Sequence, residues 1–288
     1  MFKKILPGLL FTMLWATGSI AAKFGIRSAD ALILASIRFI GTGIIFGPYF
    51  LLNAKQRFWP QKEEWKNILI YGILNTTLTL GAFFEAQKYA SAGISTLFIA
   101  VAPLLMALFS SWFLQRKLSR FEITGMLTAF TGLVICAATE LPQGHIKPLG
   151  LILLIIYIVA YALSSVYFSS IKPALTNAVF NVWQVFVGGL LLLPFCMIFN
   201  DNQIRHFDAN LFISLGWMII VLSFIANQLW LYLVKIDTVK AAVWLYLTPV
   251  FGYLLSYFLL GETITAYTIA GTALVISGLV IAGRSKLT

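Results

Sequence analysis

The two halves of this chain are rough copies of one another, and each copy holds an odd number of membrane-length apolar stretches. Displacing the sequence by 146 positions lays Pro48 on Pro194, Pro103 on Pro249 and Gly43 on Gly189. The same displacement lays Gly125 on Gly271 and Gly132 on Gly278. Five crossings per unit force the second unit to enter a membrane from the face opposite to the first. Tandem units of opposite orientation are a recurrent way to build a pathway that opens alternately to either side.

Composition fixes the environment. Hydrophobic residues make up 60% of the chain and charged residues 10%, and the mean hydropathy is +0.91. A soluble domain carries far more charge than this. A hydrocarbon core about 30 Å thick takes roughly 20 helical residues per crossing. Ten stretches meet that requirement: 5–22, 31–52, 67–87, 93–114, 121–139, 149–170, 176–199, 211–233, 239–260 and 266–283. They are continuously apolar, whereas the strands of a transmembrane β-barrel alternate. The expected fold is an all-α polytopic membrane protein, with ten transmembrane helices arranged as two inverted five-helix repeats. The repeats are expected at 1–145 and 146–288, divided where Glu140, Pro142, Gly144, His145 and Pro148 interrupt the apolar pattern. The first run contains Trp15, Lys23 and Arg27 and lacks a small-residue cleavage site, so it reads as a retained helix.

The net charge of +10 orients the chain instead of marking a nucleic-acid binder. With the N-terminus inside, fourteen basic residues fall on inward segments. Only five, Lys23, Arg27, Lys88, Lys147 and Arg205, fall on outward ones. This positive-inside bias predicts both termini in the cytoplasm. Cys136 and Cys196 have no neighbouring ligands at metal-site spacing and read as small buried hydrophobes, with a disulfide between them left open. There is no zinc-type cluster, no phosphate-cradling Gly-Lys-Ser/Thr loop and no nucleophile–histidine pair, so neither an enzyme nor a cofactor is expected.

Several short motifs recur in a fixed order. In the first unit Trp15-Ala16-Thr17-Gly18-Ser19 precedes Lys23, Arg38-Phe39 lies early in the second run, and Tyr89-Ala90-Ser91-Ala92-Gly93 precedes Pro103-Leu104. The second unit carries Tyr161-Ala162, Thr248-Pro249-Val250-Phe251 and Leu260-Gly261-Glu262, followed by Gly271 and Gly278. In order and spacing the whole chain resembles the drug/metabolite transporter superfamily, specifically bacterial inner-membrane proteins with two EamA-type repeats and ten helices. One departure stands out: the first unit has Gln115-Arg116 where the second has Gly261-Glu262. The resemblance implies carrier-type transport of small metabolites, frequently the export of amino acids. It also implies a central cavity lined by helices 1, 3, 4, 6, 8 and 9, with helices 5 and 10 peripheral.

Charged and polar groups at membrane depth are the natural site candidates, because each is costly unless buried against a partner or wetted by a cavity. Arg38 can hold helices together, meet an anionic substrate group or snorkel toward the headgroups. Glu85 and Lys88 are three apart and suited to pair. With Lys23 and Arg38 they form a candidate outer gate or coupling cluster, to which Pro103 and Pro249 add matched bends or hinges. Asn75 and Asn227 are the first neutral candidates for substrate contact, ahead of Asn181, Gln184 and Gln228. Trp15, Tyr157, Tyr161, Trp230, Trp244 and Tyr246 are candidates for an aromatic pocket wall.

The function expected is a secondary carrier that exports a small amphipathic metabolite, first of all an amino acid, across the inner membrane by alternating access. The alternatives are an exchanger of anionic or nucleoside-containing metabolites, a multidrug or organic-cation exporter, and a non-transporting membrane scaffold. The partners expected are a small-molecule metabolite, membrane lipid, and a proton or counter-substrate. Monomer and homodimer both fit the sequence.

Overall fold

Within hydrocarbon an apolar chain must satisfy its own backbone N–H and C=O groups, and the helix does so within one segment. The computed structural model describes residues 2–52, 57–113, 119–140, 146–199, 201–236, 241 and 244–283, and helices dominate them. In chain order they are α1 (Phe2–Gly25), α2 (Ala31–Leu52), α3 (Lys62–Ala86), α4 (Ala92–Phe113) and α5 (Arg120–Glu140). Then follow α6 (Pro148–Ser170), α7 (Asn177–Ile198), α8 (Ala209–Ile236), α9 (Thr248–Leu260) and α10 (Ala266–Gly283). Among the described residues six of these, α2, α3, α4, α6, α7 and α8, are long and apolar enough to cross a membrane. Large apolar side chains such as Ile44, Leu52, Ile213 and Phe258 stand on the outside. A surface this apolar suits lipid and not water. The chain is an all-α, multi-pass membrane protein. The proposed division at 140–148 falls largely outside the described residues, as do Gln115 and Arg116.

One helix is broken near its middle and another begins on an irregular turn. Residues 100–101 form a turn that splits α4 into Ala92–Ile99 and Ala102–Phe113. A 3₁₀ turn, Trp244–Leu247, precedes α9, where the sequence suggested one continuous run over 239–260. Pro103 and Pro249 each sit second in the α-segment that follows the break. Proline is tolerated there because its missing N–H would have no intrahelical acceptor. The matched prolines therefore begin new segments and do not bend intact ones.

Two other helices are widened at equivalent places. Gly72–Leu80 in α3 and Met218–Ala226 in α8 are π-helical, and the 146-residue displacement superimposes them residue for residue. In α3 the hydroxyls of Thr77 and Thr79 donate to the carbonyls of Gly72 and Leu74, five residues back. Side-chain hydroxyls thus supplement the i−5 carbonyl pairing that a π-turn requires.

Packing repeats the same symmetry. α2 packs on α7, α4 on α9 and α5 on α10, each helix on its own equivalent. Several further contacts come in matched pairs: α1 with α9 and α6 with α4, α3 with α6 and α8 with α1, α3 with α7 and α8 with α2. The glycines show how these pairs run. A Cβ on Gly132 would lie 2.5 Å from the Gly271 carbonyl oxygen and 2.8 Å from the Val275 nitrogen. A Cβ on Gly278 would lie 2.5 Å from the Gly125 oxygen and 2.6 Å from the Ala129 nitrogen. The two contacts are copies of each other, and the residue numbers run in opposite directions along the two helices. Equivalent helices of the two halves are therefore antiparallel. At the α2–α7 crossing Gly43 faces Phe186, and Gly189 faces Phe39 and Ile40, in the same sense. Small residues at such crossings let membrane helices approach to backbone contact.

Added volume at this approach should be costly. Gly132→Ala and Gly278→Ala are each expected to lower stability by about 1–3 kcal/mol. The double variant should deviate from additivity, because both sites lie in one contact. Thermal unfolding of the purified protein in detergent checks this, with Gly216→Ala as a neutral control since nothing lies within 4 Å of a Cβ there.

Candidate functional site

Calling the end where α1 finishes and α2 begins the upper end, the middle of the bundle holds a narrow cavity of about 20 Å³. That is room for about one water-sized sphere. Its wall takes Trp15, Gly18 and Ser19 from α1, Arg38 from α2, and Leu80 and Phe83 from α3. Ser95, Thr96 and Ile99 come from α4, Tyr157 from α6, Leu222 from α8 and Thr248 from α9. These are the six helices implied by the resemblance, joined by α2. Both π-stretches reach the wall, through Leu80 and Leu222, and such stretches are frequent at functional sites.

Arg38 is 2% exposed, so it does not snorkel. Its Nε donates to the Ser223 hydroxyl at 2.7 Å, and its guanidinium lies over the rings of Phe39 and Phe84 at 5.0 and 5.5 Å. No carboxylate pairs with it among the described residues. Ser223 belongs to a buried polar belt: Asn181 donates to the Ser223 carbonyl at 2.9 Å, and both Asn227 and Gln184 donate to the Asn181 side-chain oxygen. Thr76 then donates to the Gln184 oxygen at 2.8 Å. On the wall, the Ser19 and Thr248 hydroxyls are buried with no protein partner among the described residues.

Below the cavity the rings form a plug. Phe11 stacks on Trp230 at 5.0 Å, Trp230 on Tyr161 at 5.3 Å, and Trp15 lies 6.1 Å from Tyr161. The Tyr161 hydroxyl and the Trp230 indole nitrogen are buried without protein partners among the described residues. Farther down, Arg57 forks onto Glu64 at 2.7 and 2.8 Å, and Glu64 also accepts from the Leu175 N–H at the start of α7.

The upper end is tied by charge. Lys23 donates to the Gln87 carbonyl at 2.7 Å. Lys88 pairs with Glu85 at 2.7 Å and Asp201 at 3.3 Å. Arg205 pairs with Asp30, and Ser28 donates to Asp208 at 2.6 Å. Hydrogen bonds from Ser28 and the Leu211 N–H hold the Asp208 carboxyl below its ordinary pKa. Glu262 spans two helices: its oxygens accept from the N–H groups of Ala92 and Gly93 at 2.7 and 3.0 Å, at the start of α4. Gly261, with φ of 69°, makes the left-handed turn at the end of α9 that precedes it.

The residues anticipated from sequence therefore separate into groups. Trp15, Arg38 and Tyr157 share the cavity wall, and Tyr161 and Trp230 lie in the plug beneath it. Lys23, Glu85 and Lys88 belong to the upper ties. Asn227 is taken up by Asn181, and Asn75 accepts from Ser164 at 3.5 Å. The Trp244 carbonyl accepts from Thr12 at 2.8 Å, and its ring packs at Gly8 on α1. The side chains of Tyr246 and Cys136 lie outside the described residues, and Cys196 is a free, buried thiol. Sequence reasoning missed the wall hydroxyls of Ser19 and Thr248, because small hydroxyl residues are common along membrane helices. It also set Glu262 aside, although an acid matched to a helix start is a recognisable signal.

No group of three or more metal-ligating side chains occurs among the described residues. A solved crystal structure superposes on this chain with a TM-score of 0.72, at 20% identity, covering 96% of this chain and 95% of the other. An uncharacterised transporter of Archaeoglobus fulgidus is 25% identical over 99% of this chain and 100% of its own length. The uncharacterised inner membrane transporter YedA of Escherichia coli is 25% identical over 92% of this chain and 86% of its own length. The uncharacterised transporter YoaV of Bacillus subtilis is 22% identical over 96% and 95%. The EamA-like transporter family matches twice, at residues 2–138 and again at 148–284. With nearly all its length covered by that pair of matches, the chain belongs to the EamA-like transporter family and is a small-molecule transporter.

Proposed function

We propose that this protein is a secondary carrier that exports a small amphipathic metabolite, in the first place an amino acid with an apolar side chain, across the bacterial inner membrane. In this reading all ten helices cross the bilayer, as inverted repeats 1–145 and 146–288, with both termini in the cytoplasm and the upper end facing outward. One observation carries it: equivalent helices of the two halves meet antiparallel, through copied contacts, around a central cavity walled by both halves. A two-fold axis lying in the membrane plane makes the upper-open and lower-open states near mirror uses of one fold, which is the geometry of alternating access. The inner-membrane setting draws support from the name of the E. coli relative and from the basic residues gathered on inward segments.

The narrow cavity corresponds to a state closed at both ends, with the aromatic plug below and the ionic ties above. Trp15, Tyr157, Tyr161 and Trp230 line or floor the substrate's path in this reading. Lys23, Glu85 and Lys88 hold the outer gate, and the breaks before Pro103 and Pro249 are its hinges.

Purified protein in liposomes should show saturable uptake of labelled phenylalanine or leucine, accelerated by unlabelled substrate on the far side. A screen of amino acids and other metabolites giving no flux above empty liposomes would remove the carrier assignment. A fluorescent reporter fused after Thr288 should be active in the cytoplasm, and a phosphatase reporter at the same point inactive; the reverse pattern would overturn the proposed orientation. Glu262→Gln keeps the shape of the latch on α4 but replaces one of its two acceptor oxygens by an NH2 that cannot accept from the backbone N–H, at a cost of at least about 1 kcal/mol. That corresponds to roughly fivefold more open upper end, read as faster labelling of Ser19→Cys by a membrane-impermeant thiol reagent.

A further inference from the structure

The repeat supplies an internal control for Arg38. Its equivalent in the second half is Gln184, on α7. Gln184 bonds to Thr76 in the π-stretch of α3, while Arg38 bonds to Ser223 in the π-stretch of α8. The structural task is the same at both places: a long polar side chain ties α2 or α7 to the widened turn of the neighbouring helix. A neutral amide performs it on one side. The charge on the other side therefore goes beyond what the tie requires, and burying an unpaired cation is expensive.

Three features give that charge a purpose. Only the Nε of Arg38 is spent on Ser223, and the side chain lines the cavity. Among the described residues no aspartate or glutamate contributes to the cavity wall. The wall further supplies two partnerless hydroxyls, Ser19 and Thr248, beside the apolar faces of Trp15, Phe83 and Tyr157. A site with one fixed cation, hydroxyl donors and aromatic walls is complementary to a carboxylate carried on an apolar body. Guanidinium is the group best matched to a carboxylate, through two parallel N–H···O bonds.

We infer that Arg38 is the receptor for the substrate's carboxylate, and that the substrates are small organic acids with an apolar or aromatic body. This rests on the carrier reading for its biological use, but the binding chemistry stands apart from flux. Among its described residues the wall offers no counter-anion for an α-ammonium group. Amino acids are then recognised through their acid end alone, and an acid that lacks the amine binds as well as its amino-acid parent.

The test compares each acid with its matched amide by thermal shift on the purified, detergent-solubilised protein. The probes are 3-phenylpropionate with 3-phenylpropionamide, and phenylalanine with phenylalaninamide. Both acids should stabilise the protein at concentrations at least about tenfold below those the amides need, with 3-phenylpropionate no weaker than phenylalanine. Arg38→Gln copies the residue at the equivalent position and keeps a polar tie to Ser223; it should remove the difference between acid and amide, and Arg38→Lys should retain part of it. Equal effects of acid and amide on the wild-type protein, no stabilisation by either acid, or an undiminished acid preference in Arg38→Gln would each overturn the inference. The wild-type comparison needs no variant and decides the matter even if Arg38→Gln fails to fold. Acid-selective binding with no flux in liposomes would count against the carrier alone, and flux that favours acids equally in Arg38→Gln would count against Arg38 alone.

Discussion

Close backbone approach between equivalent helices is the constraint from which the architecture follows. Lipid tails are as apolar as the helices, so little hydrophobic force drives one helix against another inside the bilayer. Association then depends on dispersion and on how near two backbones can come. Gly132 and Gly278 reduce the α5–α10 separation until a methyl group would strike backbone atoms, and between α2 and α7 Gly43 makes room for the Phe186 side chain and Gly189 for Phe39 and Ile40. Because each pair joins a helix to its own equivalent, the approach also defines a two-fold axis. Placing α2 on α7 and α5 on α10 leaves α1, α3, α4, α6, α8 and α9 to enclose the centre, and their residues dominate the cavity wall.

The two ends of that enclosure are closed by different physics. At the upper end the ties are short polar contacts between connections: Lys88 with Glu85 and Asp201, Arg205 with Asp30, and Glu262 with the start of α4. Each is worth on the order of 1 kcal/mol near solvent, so the set can be broken in steps. The lower plug of Phe11, Tyr161 and Trp230 is held by ring contact and burial. Moving it exposes apolar area and also gives the buried Tyr161 hydroxyl and Trp230 nitrogen access to water. The second effect offsets part of the first, so neither closure need be deep.

Much of this organisation was legible in the sequence because a membrane writes its demands in simple terms. Runs of about 20 apolar residues announced the helices, and the repeated glycines and prolines announced the two halves. The Glu85–Lys88 pair followed from helical spacing. What stayed hidden depends on contacts between distant residues. Nothing in Gly72–Leu80 or Met218–Ala226 spells a π-helix, and only their matching positions after folding reveal that both halves use one. Asn227 looked like a cavity amide, yet Asn181 takes it up, since the sequence does not say which way a helix is turned. The prolines marked the broken helices correctly, but the breaks fall just before them, where the chain leaves the α-form to start afresh. Ser19 and Thr248 stood inside the short motifs, but because they are small hydroxyls nothing in the sequence said that they face the cavity instead of packing between helices.

The departures from symmetry are as informative as the symmetry. If the halves were identical, the state open above and the state open below would have equal energy, because each is the other with the repeats exchanged. Residues that differ between equivalent positions are what can separate them. The upper ties use Lys23, Asp30, Glu85 and Lys88, whose equivalents in the second half are Ser169, Thr176, Leu231 and Val234. At these four positions the lower end has no charge with which to copy the upper closure, and among the described residues it combines the ring plug with the Arg57–Glu64 pair. Arg38 and Gln184 carry the same contrast to the centre, where one half presents a cation and the other an amide. In the proposed carrier cycle a symmetric scaffold would supply the two states, and the charged side chains gathered at the upper end, drawn from both halves, would set their balance.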